Sequence, residues 1–211
     1  MSKPTLMSRR LLKKFPKLVE EQKATQDPED QRPVVIMVQD EGRFGRISDT
    51  RRAWSPPGER PFAPHQVVRQ YLYAFVAVAP LLGRMTALLL PWDNTAMMSL
   101  FLTQVSEDFN DYFVIMLIDG AGWHLSNELR IPENIRFIQQ SSHSPELNPT
   151  EHIWEELREK HFHNKAFDSL DDVKNALVTG LNQLSDQPSR IRSMTSFPYI
   201  AKYHPLDCKL V

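Results

Sequence analysis

Three acidic residues lie where folding of the chain can bring carboxylates together. Asp40 follows the apolar run Val34–Gln39, and Asp119 follows the apolar run Phe113–Ile118. Glu151 lies in the opening turn of a predicted helix. Neighbouring central strands that end in aspartate place those side chains at one sheet edge, and a helix start packed there adds a third. Hard oxygen ligands favour Mg²⁺ or Mn²⁺, and two such ions roughly 3.5–4 Å apart stabilise displacement at phosphorus, so this set predicts phosphodiester chemistry.

Each acid also has a structural explanation when it is taken alone. Asp40 can be the turn residue at the end of a strand, where an aspartate side chain accepts a hydrogen bond from the nearby backbone. Asp119 and the glycine after it form a common hairpin pair, although no strand alternation resumes afterwards. Glu151 fits the third position of a helix whose N-cap is Asn148, where its carboxylate can reach back to the cap amide. Only the combination of the three acids favours a metal site.

Hydrophobic patterning predicts the elements that must position these acids. Strand-like runs come first in the chain and then alternate with helical runs. The second and third strand-like runs are predicted to pair as an antiparallel hairpin. This order predicts an α/β fold, a mixed sheet flanked by helices. The predicted strands are Val34–Gln39, Val67–Ala79, Arg84–Leu90, Phe113–Ile118 and Ile135–Gln139, and the predicted helices cover about 11–22, 94–108, 149–163 and 170–184.

Length and composition fit one ordinary globular domain. The chain has 211 residues, a formal net charge of −1 and a single cysteine, Cys208, which excludes an intramolecular disulfide and a cysteine-based zinc site. No apolar stretch approaches the roughly 18 residues of a membrane span, and an intracellular, cytoplasmic location is expected. Residues 1–31 are expected to form a basic arm or the remnant of a preceding domain, 32–185 the catalytic domain, and 186–211 a carboxyl-terminal helix and tail.

Three motifs resemble the IS630 branch of the IS630/Tc1/mariner transposases. They are Val-Gln-Asp40-Glu-Gly-Arg-Phe-Gly, Ile-Asp119-Gly-Ala-Gly-Trp-His124 and Ser144-Pro-Glu-Leu-Asn-Pro-Thr-Glu151-His-Ile-Trp. The resemblance covers roughly residues 32–165. It implies an RNase H-like, five-stranded catalytic fold in which Asp40, Asp119 and Glu151 are the catalytic triad and hold two Mg²⁺ or Mn²⁺ ions.

The resemblance also implies partners and an activity. The expected reaction is DNA strand cleavage and strand transfer at insertion-sequence ends, by a homodimer on double-stranded DNA associated with the bacterial nucleoid. A cationic segment beside the first aspartate is expected to contact phosphates. His124 is expected either to orient a phosphate or a metal-bound water, or to pack a helix start. The candidate DNA-contacting residues are Arg43, Arg46, Arg51, Arg52 and His124.

Departures from the family pattern leave alternatives open. Gly120 stands where the family often has asparagine, and the connection from Asp119 to Glu151 is slightly shorter than usual. The polar first 31 residues cannot hold the family's helix-turn-helix modules, so an upstream reading frame supplies them or the copy is truncated. The alternatives are a catalytically silent remnant that binds DNA or dimerises, and a non-transposing RNase H-like nuclease.

Overall fold

The computed structural model describes residues 6–124, 126–140 and 147–203, with side chains described from residue 12 onward and not at position 123. Expectations about the basic residues before position 12, about residues 144–146 of the third motif and about Cys208 lie outside this part of the chain. No helix within the described ranges is long and apolar enough to cross a membrane.

Five strands and five α-helices form the described fold, with two short helical turns of other types. A 3₁₀ turn covers Gly122–His124, and a π-helical turn covers Arg158–Phe162. The strands are β1 (Val34–Ile47), β2 (Val67–Ala79), β3 (Arg84–Leu90), β4 (Phe113–Ile118) and β5 (Ile135–Gln139), and the helices are α1 (Leu6–Lys23), α2 (Thr95–Asp108), α3 (Thr150–Leu157), α4 (Leu170–Ser185) and α5 (Pro188–Thr195).

The strands form one mixed sheet in the order β3-β2-β1-β4-β5. Strands β2 and β3 pair as the predicted antiparallel hairpin, and β2 also pairs antiparallel with β1. Strands β1, β4 and β5 run parallel, so their carboxyl ends meet at one edge. The predicted α/β fold with a mixed five-stranded sheet flanked by helices is confirmed.

Strand β1 is longer than its apolar run predicts, and Asp40 lies inside it. Pairing with β4 extends from Val34 to Val38, whereas pairing with β2 continues to Ile47. The prediction that this strand ends at Gln39 is therefore wrong. Beyond the end of β4 the strand has a partner on one side only and is less covered, so its residues no longer need to be uniformly apolar.

Alternate residues of the sheet face two hydrophobic layers. One face of β1, including Val34, Ile36 and Val38, packs in the same core as residues of α1, α3, α4 and α5. The other face, including Val35 and Met37, packs with the buried residues of α2. Strand β4 is buried along its whole length, as a central strand covered on both faces requires.

Helix α1 belongs to this folded unit. Phe15 and Val19 are 1% exposed within the core, and the Phe15 ring makes edge-on contacts with Tyr199 and Tyr203 at centroid distances of 5.1 and 5.6 Å. The lysines on the other side of the helix are exposed. The described part of residues 1–31 therefore includes a helix that is docked on the core and covers the helix predicted over about 11–22.

Candidate active site

The two aspartates come to the carboxyl end of the parallel strands. Val38 of β1 is aligned with Leu117 of β4, the last pair in that ladder. Asp40 follows Val38 within β1, and Asp119 is the residue directly after β4. The parallel pairing therefore brings the two backbone positions to the same edge of the sheet.

Asp40 is held by hydrogen bonds from three directions. Its Oδ2 accepts from Asn148 Nδ2 and from Trp154 Nε1, both at 2.9 Å, and its Oδ1 accepts from the Glu41 backbone N–H at 2.9 Å. Burial raises the pKa of the Asp40 carboxyl to about 7; the Trp154 bond opposes the rise, and the negative charges of Glu41 and Glu151 add to it. Asp40 is therefore a fixed, partly desolvated carboxylate whose charge a cation would stabilise.

The start of α3 is tied to β1 through the residues just before Glu151. Asn148 Oδ1 accepts from the Thr150 backbone N–H at 3.0 Å, while the Asn148 amide nitrogen donates to Asp40. Thr150 Oγ1 donates to the Val38 carbonyl at 3.4 Å. These bonds fix the first turn of the helix, which carries Glu151, against the strand that carries Asp40.

This arrangement corrects the predicted helix cap. The α-helix begins at Thr150, and Pro149 directly precedes it without a side-chain cap bond. With Asn148 as the N-cap the helix would begin at Pro149, so it starts one residue later than predicted. In the described part of the chain, no hydrogen bond or ion pair engages the Glu151 carboxylate. Its influence on the pKa of Asp40 nevertheless shows that the two acids interact electrostatically.

Asp119 is engaged by a buried histidine. Asp119 Oδ1 lies 2.8 Å from His124 Nδ1 and accepts from the Ala121 backbone N–H at 2.9 Å. His124 Nε2 lies 2.9 Å from Glu41 Oε1, so the two side chains form an ion pair. The His124 bond is the main cause that lowers the pKa of Asp119. Two carboxylates therefore share one imidazole between β1 and the turn after β4.

His124 is positively charged in this arrangement. Burial would lower the pKa of the imidazole, but its bonds to Asp119 and Glu41 and their negative charges outweigh this and raise the pKa to about 9. The His124 side chain is 0% exposed, and both ring nitrogens face carboxylates. The expected direct contact of His124 with a DNA phosphate does not fit this burial, because neither nitrogen faces solvent.

The donor set matches a divalent cation in chemistry, although its side chains do not converge in this conformation. Among the described residues, no group of three or more histidine, cysteine, aspartate or glutamate side chains is close enough to hold a metal ion. Asp119 is turned toward His124 instead. The carboxylates of Asp40, Asp119 and Glu151 are hard oxygen donors of the kind that Mg²⁺ and Mn²⁺ prefer, so the chemistry of the three residues fits such an ion.

The four predicted arginines have different environments. Arg46 donates to the Phe167 carbonyl and to Gln70 Oε1, and Arg51 lies 3.5 Å from Asp49 Oδ1. Arg52 is exposed. The Arg43 guanidinium lies over the Tyr71 ring, 4.8 Å from its centroid, and lines a groove with Arg158 and Lys165, two cations that the sequence did not single out.

Two residues that hold Asp40 were missed from the sequence as members of the site. Asn148 was read as a helix cap and Trp154 as core packing, and Trp154 is indeed buried at 2% exposure. A signal for Trp154 existed, because a buried indole N–H needs an acceptor. No local pattern could name Asp40 as that acceptor, since the two residues are more than a hundred positions apart.

Comparisons of sequence identify relatives of the chain. A family model described as DDE superfamily endonuclease matches residues 35–174. The uncharacterized protein y4pE/y4sA of Sinorhizobium fredii (strain NBRC 101917 / NGR234) is 34% identical over 125 residues, which cover 59% of this chain and 93% of that protein.

Comparisons of structure identify a shared fold. The Mos1 mariner paired end complex with Mn matches at a TM-score of 0.59 with 14% identity, over 97% of this chain and 64% of that one. The Mos1 paired-end complex with left transposon end matches at 0.55 with 17% identity, over 93% and 66%. The chain thus spans just under two thirds of these transposase chains, and its sheet and helices match their RNase H-like catalytic cores. With the family match over more than half of its length, the chain belongs to the DDE superfamily of endonucleases.

Proposed function

We propose that this chain is the catalytic domain of an IS630-type transposase, with Asp40, Asp119 and Glu151 as its catalytic acids. The reaction is DNA strand cleavage and strand transfer at insertion-sequence ends. One observation supports the proposal: β1 and β4 run parallel, so Asp40 and Asp119, the residue directly after β4, come to the same end of the sheet, while Asn148 and Trp154 fasten the helix bearing Glu151 to Asp40. Three elements of the fold thereby carry one acid each toward that edge.

The three carboxylates would together hold two divalent ions, either Mg²⁺ or Mn²⁺. When bound, the ions activate the attacking oxygen and stabilise the leaving oxygen of an in-line displacement at phosphorus. Asp40 is oriented by its donors, and Trp154 and Asn148 position it. His124, fixed by Glu41, positions Asp119 through Oδ1 and leaves the second oxygen of that carboxylate for coordination. Glu151 has no competing partner among the described residues and completes the donor set.

Double-stranded DNA is the proposed partner. Mos1, which shares the fold, has been solved as a paired-end complex with a transposon end and as a strand transfer complex. By analogy we infer that this chain also acts as a dimer on transposon ends. We infer that it is associated with the bacterial nucleoid. A helix-turn-helix region encoded by an upstream frame would supply end recognition.

A plasmid-nicking assay tests this function. The substrate is a supercoiled plasmid that carries the genomic segments flanking the coding sequence, incubated with Mg²⁺ or Mn²⁺. We expect metal-dependent nicking by the natural protein and none by Asp119→Ala. Asp111→Ala is the matched control, because Asp111 is exposed just before the opposite end of β4, and it should nick normally. Equal nicking by Asp119→Ala would refute the catalytic assignment.

A silent DNA-binding or dimerisation module is the second candidate. The observation in its favour is that Asp119 is paired with His124 and the three acids do not converge among the described side chains. Such a module would bind DNA without nicking it under any metal. An RNase H-like nuclease that does not transpose would instead cut RNA–DNA hybrids or branched duplexes in the same assay and ignore the flanking segments.

A further inference from the structure

A cationic groove lies between β1 and the π-helical turn after α3. Its volume is about 240 Å³, and its cations are Arg43, Arg158 and Lys165. Arg43 comes from the extension of β1, Arg158 begins the π-helical turn, and Lys165 follows that turn. Elements that carry two of the three acids therefore also supply the walls of this groove.

The cations of the groove are held by aromatic rings and carbonyls, and no carboxylate pairs with them among the described residues. The Arg158 guanidinium lies over the Phe44 ring, 5.3 Å from its centroid, and Arg43 lies over Tyr71. Lys165 Nζ contacts the Lys160 carbonyl at 3.4 Å. A guanidinium stacked on a ring keeps its N–H edge directed outward, and that edge matches the oxygens of a phosphate.

The π-helical turn places Arg158 over Phe44. The His163 backbone N–H donates to the Arg158 carbonyl at 2.8 Å, a bond across five residues that widens the turn. Phe162 packs against the same Phe44 ring at a centroid distance of 4.9 Å. Arg158 and Phe162 thus meet one ring, which fixes the guanidinium at the groove.

The spacing from the acids fits a nucleic-acid strand. Arg158 is seven residues after Glu151, two helical turns on nearly the same face, or about 10 Å along the axis. Arg43 is three residues after Asp40 on β1, so its side chain leaves the opposite face of the strand, where it lies over Tyr71. Since phosphates of one strand advance about 3.4 Å per nucleotide along a duplex, Arg158 lies on the order of three nucleotides from Glu151.

Acidic groups near the groove are few. Asp49 also lines it, but Asp49 Oδ1 lies 3.5 Å from Arg51 Nε and Asp49 Oδ2 lies 2.9 Å from His163 Nε2. Three glutamates flank Arg158 in the sequence: Glu155 and Glu159 are exposed, and Glu156 is paired with Lys160 and Arg190. The lining of the groove thus contains three cations and one acid that has its own cationic partner.

We propose that the groove lined by Arg43, Arg158 and Lys165 binds the phosphodiester backbone of the DNA strand that enters the active site. This inference rests on the proposed function, because it takes Asp40, Asp119 and Glu151 as the place of reaction. The contact is independent of base sequence, and it positions the strand rather than selecting the end.

Salt-dependent DNA binding tests the groove. The probe is a short fluorescently labelled duplex with Ca²⁺ in place of Mg²⁺, and anisotropy is measured over a series of salt concentrations. For Arg158→Gln and Lys165→Gln we expect weaker binding and a slope of log K against log salt reduced by about 1 for each substitution. Arg158→Lys keeps the charge and should keep most of the slope.

The matched control is Arg84→Gln. Arg84 also lies over an aromatic ring, 4.5 Å from the centroid of Phe109, and its Nη2 donates to the Asp108 carbonyl, but it is on β3 at the far edge of the sheet. Its substitution should leave the salt slope unchanged. If the slopes of log K against log salt for Lys165→Gln and Arg158→Gln equal the slope of the natural protein, the proposed DNA-binding role of the groove is overturned. Because Lys165 is exposed, its substitution tests the groove without disturbing the core.

Mn²⁺ titration of the same proteins separates this inference from the proposed function. Arg158→Gln should bind Mn²⁺ like the natural protein, since Asp40, Asp119 and Glu151 are unchanged. If the protein binds Mn²⁺ and the substitutions at Arg158 and Lys165 leave DNA binding unchanged, the proposed role of the groove is contradicted and the catalytic function is not. A protein that binds DNA through these two residues without binding Mn²⁺ would contradict the catalytic function and support the groove.

Discussion

Asp40 has two roles at the residue scale, one in the proposed reaction and one in holding α3. Its Oδ2 accepts from Trp154 and Asn148, so the bonds that orient the carboxylate also tie the helix of Glu151 to the sheet. Such partners of a metal ligand restrict its rotation and maintain its basicity. The residues that surround the acids should therefore matter for activity nearly as much as the acids.

Replacing Trp154 with phenylalanine removes the indole donor and keeps most of the packing. We expect nicking activity or Mn²⁺ affinity to fall on the order of 10- to 100-fold, the usual cost of losing a partner of a metal ligand. Nicking rates and Mn²⁺ calorimetry measure this. Trp92→Phe is the control, because Trp92 is 65% exposed and should tolerate the change. Full activity of Trp154→Phe would show that its bond to Asp40 has no part in catalysis.

The metal-free protein should lose stability as pH rises through the titration of Asp40. The folded-state pKa of Asp40, about 7, is above the ordinary value of 3.8, so its protonated form favours the fold and this contribution is lost between about pH 4 and pH 7. His124 contributes over a higher window, because its raised pKa of about 9 gives stability that is lost above about pH 6.5.

Urea unfolding of Asp40→Asn measures this contribution. Compared between about pH 4.5 and about pH 6.5, the metal-free variant should show a flatter dependence of its unfolding free energy than the natural protein. Saturating Mn²⁺ should remove much of the difference by stabilising the ionised form of the natural protein. Parallel pH profiles for the two proteins would show that Asp40 is not desolvated as described.

At the scale of elements, the contact between β1 and α3 depends on a glycine. A Cβ added at Gly42 would lie 2.8 Å from Phe44 Cε2 and 3.1 Å from two atoms of the Trp154 ring. The absence of a side chain at this position therefore lets Trp154 approach β1 closely enough for its N–H to reach Asp40.

Gly42→Val should displace Trp154. We expect a loss of roughly 1–3 kcal/mol in unfolding free energy from overpacking, together with reduced nicking. Urea unfolding and the plasmid assay give the two readouts. Gly122→Ala is the stability control, because a Cβ at Gly122 meets no atom within 4 Å. A Gly42→Val protein with unchanged stability would mean that Trp154 can move aside without cost.

The elements were largely predictable, and their long-range contacts were not. The bounds of Phe113–Ile118, Ile135–Gln139 and the β2–β3 hairpin follow from apolar runs and turn residues, and the structure confirms them. The continuation of β1 beyond Gln39 was missed because its outer part is half covered and carries polar residues and glycines. The start of α3 was predicted one residue early, and the bond from the Asn148 amide to Asp40 could not be predicted because Asp40 is distant in sequence.

At the scale of the whole molecule, the described fold is a single unit that includes its first helix. The core on the α3 side of the sheet contains side chains from α1, α3, α4 and α5 and from the turn around Ile200. Strands β1 and β4 run parallel and bring Asp40 and Asp119 to one end of the sheet, and the groove of Arg43, Arg158 and Lys165 lies between β1 and the turn after α3. In the proposed function a DNA strand would contact both.

Phe15→Ala tests whether α1 is part of the catalytic unit. Phe15 is 1% exposed and contacts Tyr199 and Tyr203, so its truncation should lower the unfolding free energy by roughly 3–5 kcal/mol. Urea unfolding should keep one cooperative transition in both proteins. Lys17→Ala is the control on the exposed side of the same helix and should change little. An unaffected Phe15→Ala protein would mean that the helix does not stabilise the domain.

The central claim is that Asp40, Asp119 and Glu151 jointly bind the ions for phosphodiester chemistry, and Mn²⁺ calorimetry tests it most directly. We predict saturable Mn²⁺ binding by the natural protein and by Asp111→Ala, and strongly weakened binding by Asp40→Ala, Asp119→Ala and Glu151→Ala. Loss of binding in each of the three variants would place one metal site at the edge of the sheet. Mn²⁺ binding that survives all three substitutions, or that is absent from the natural protein, would contradict the account.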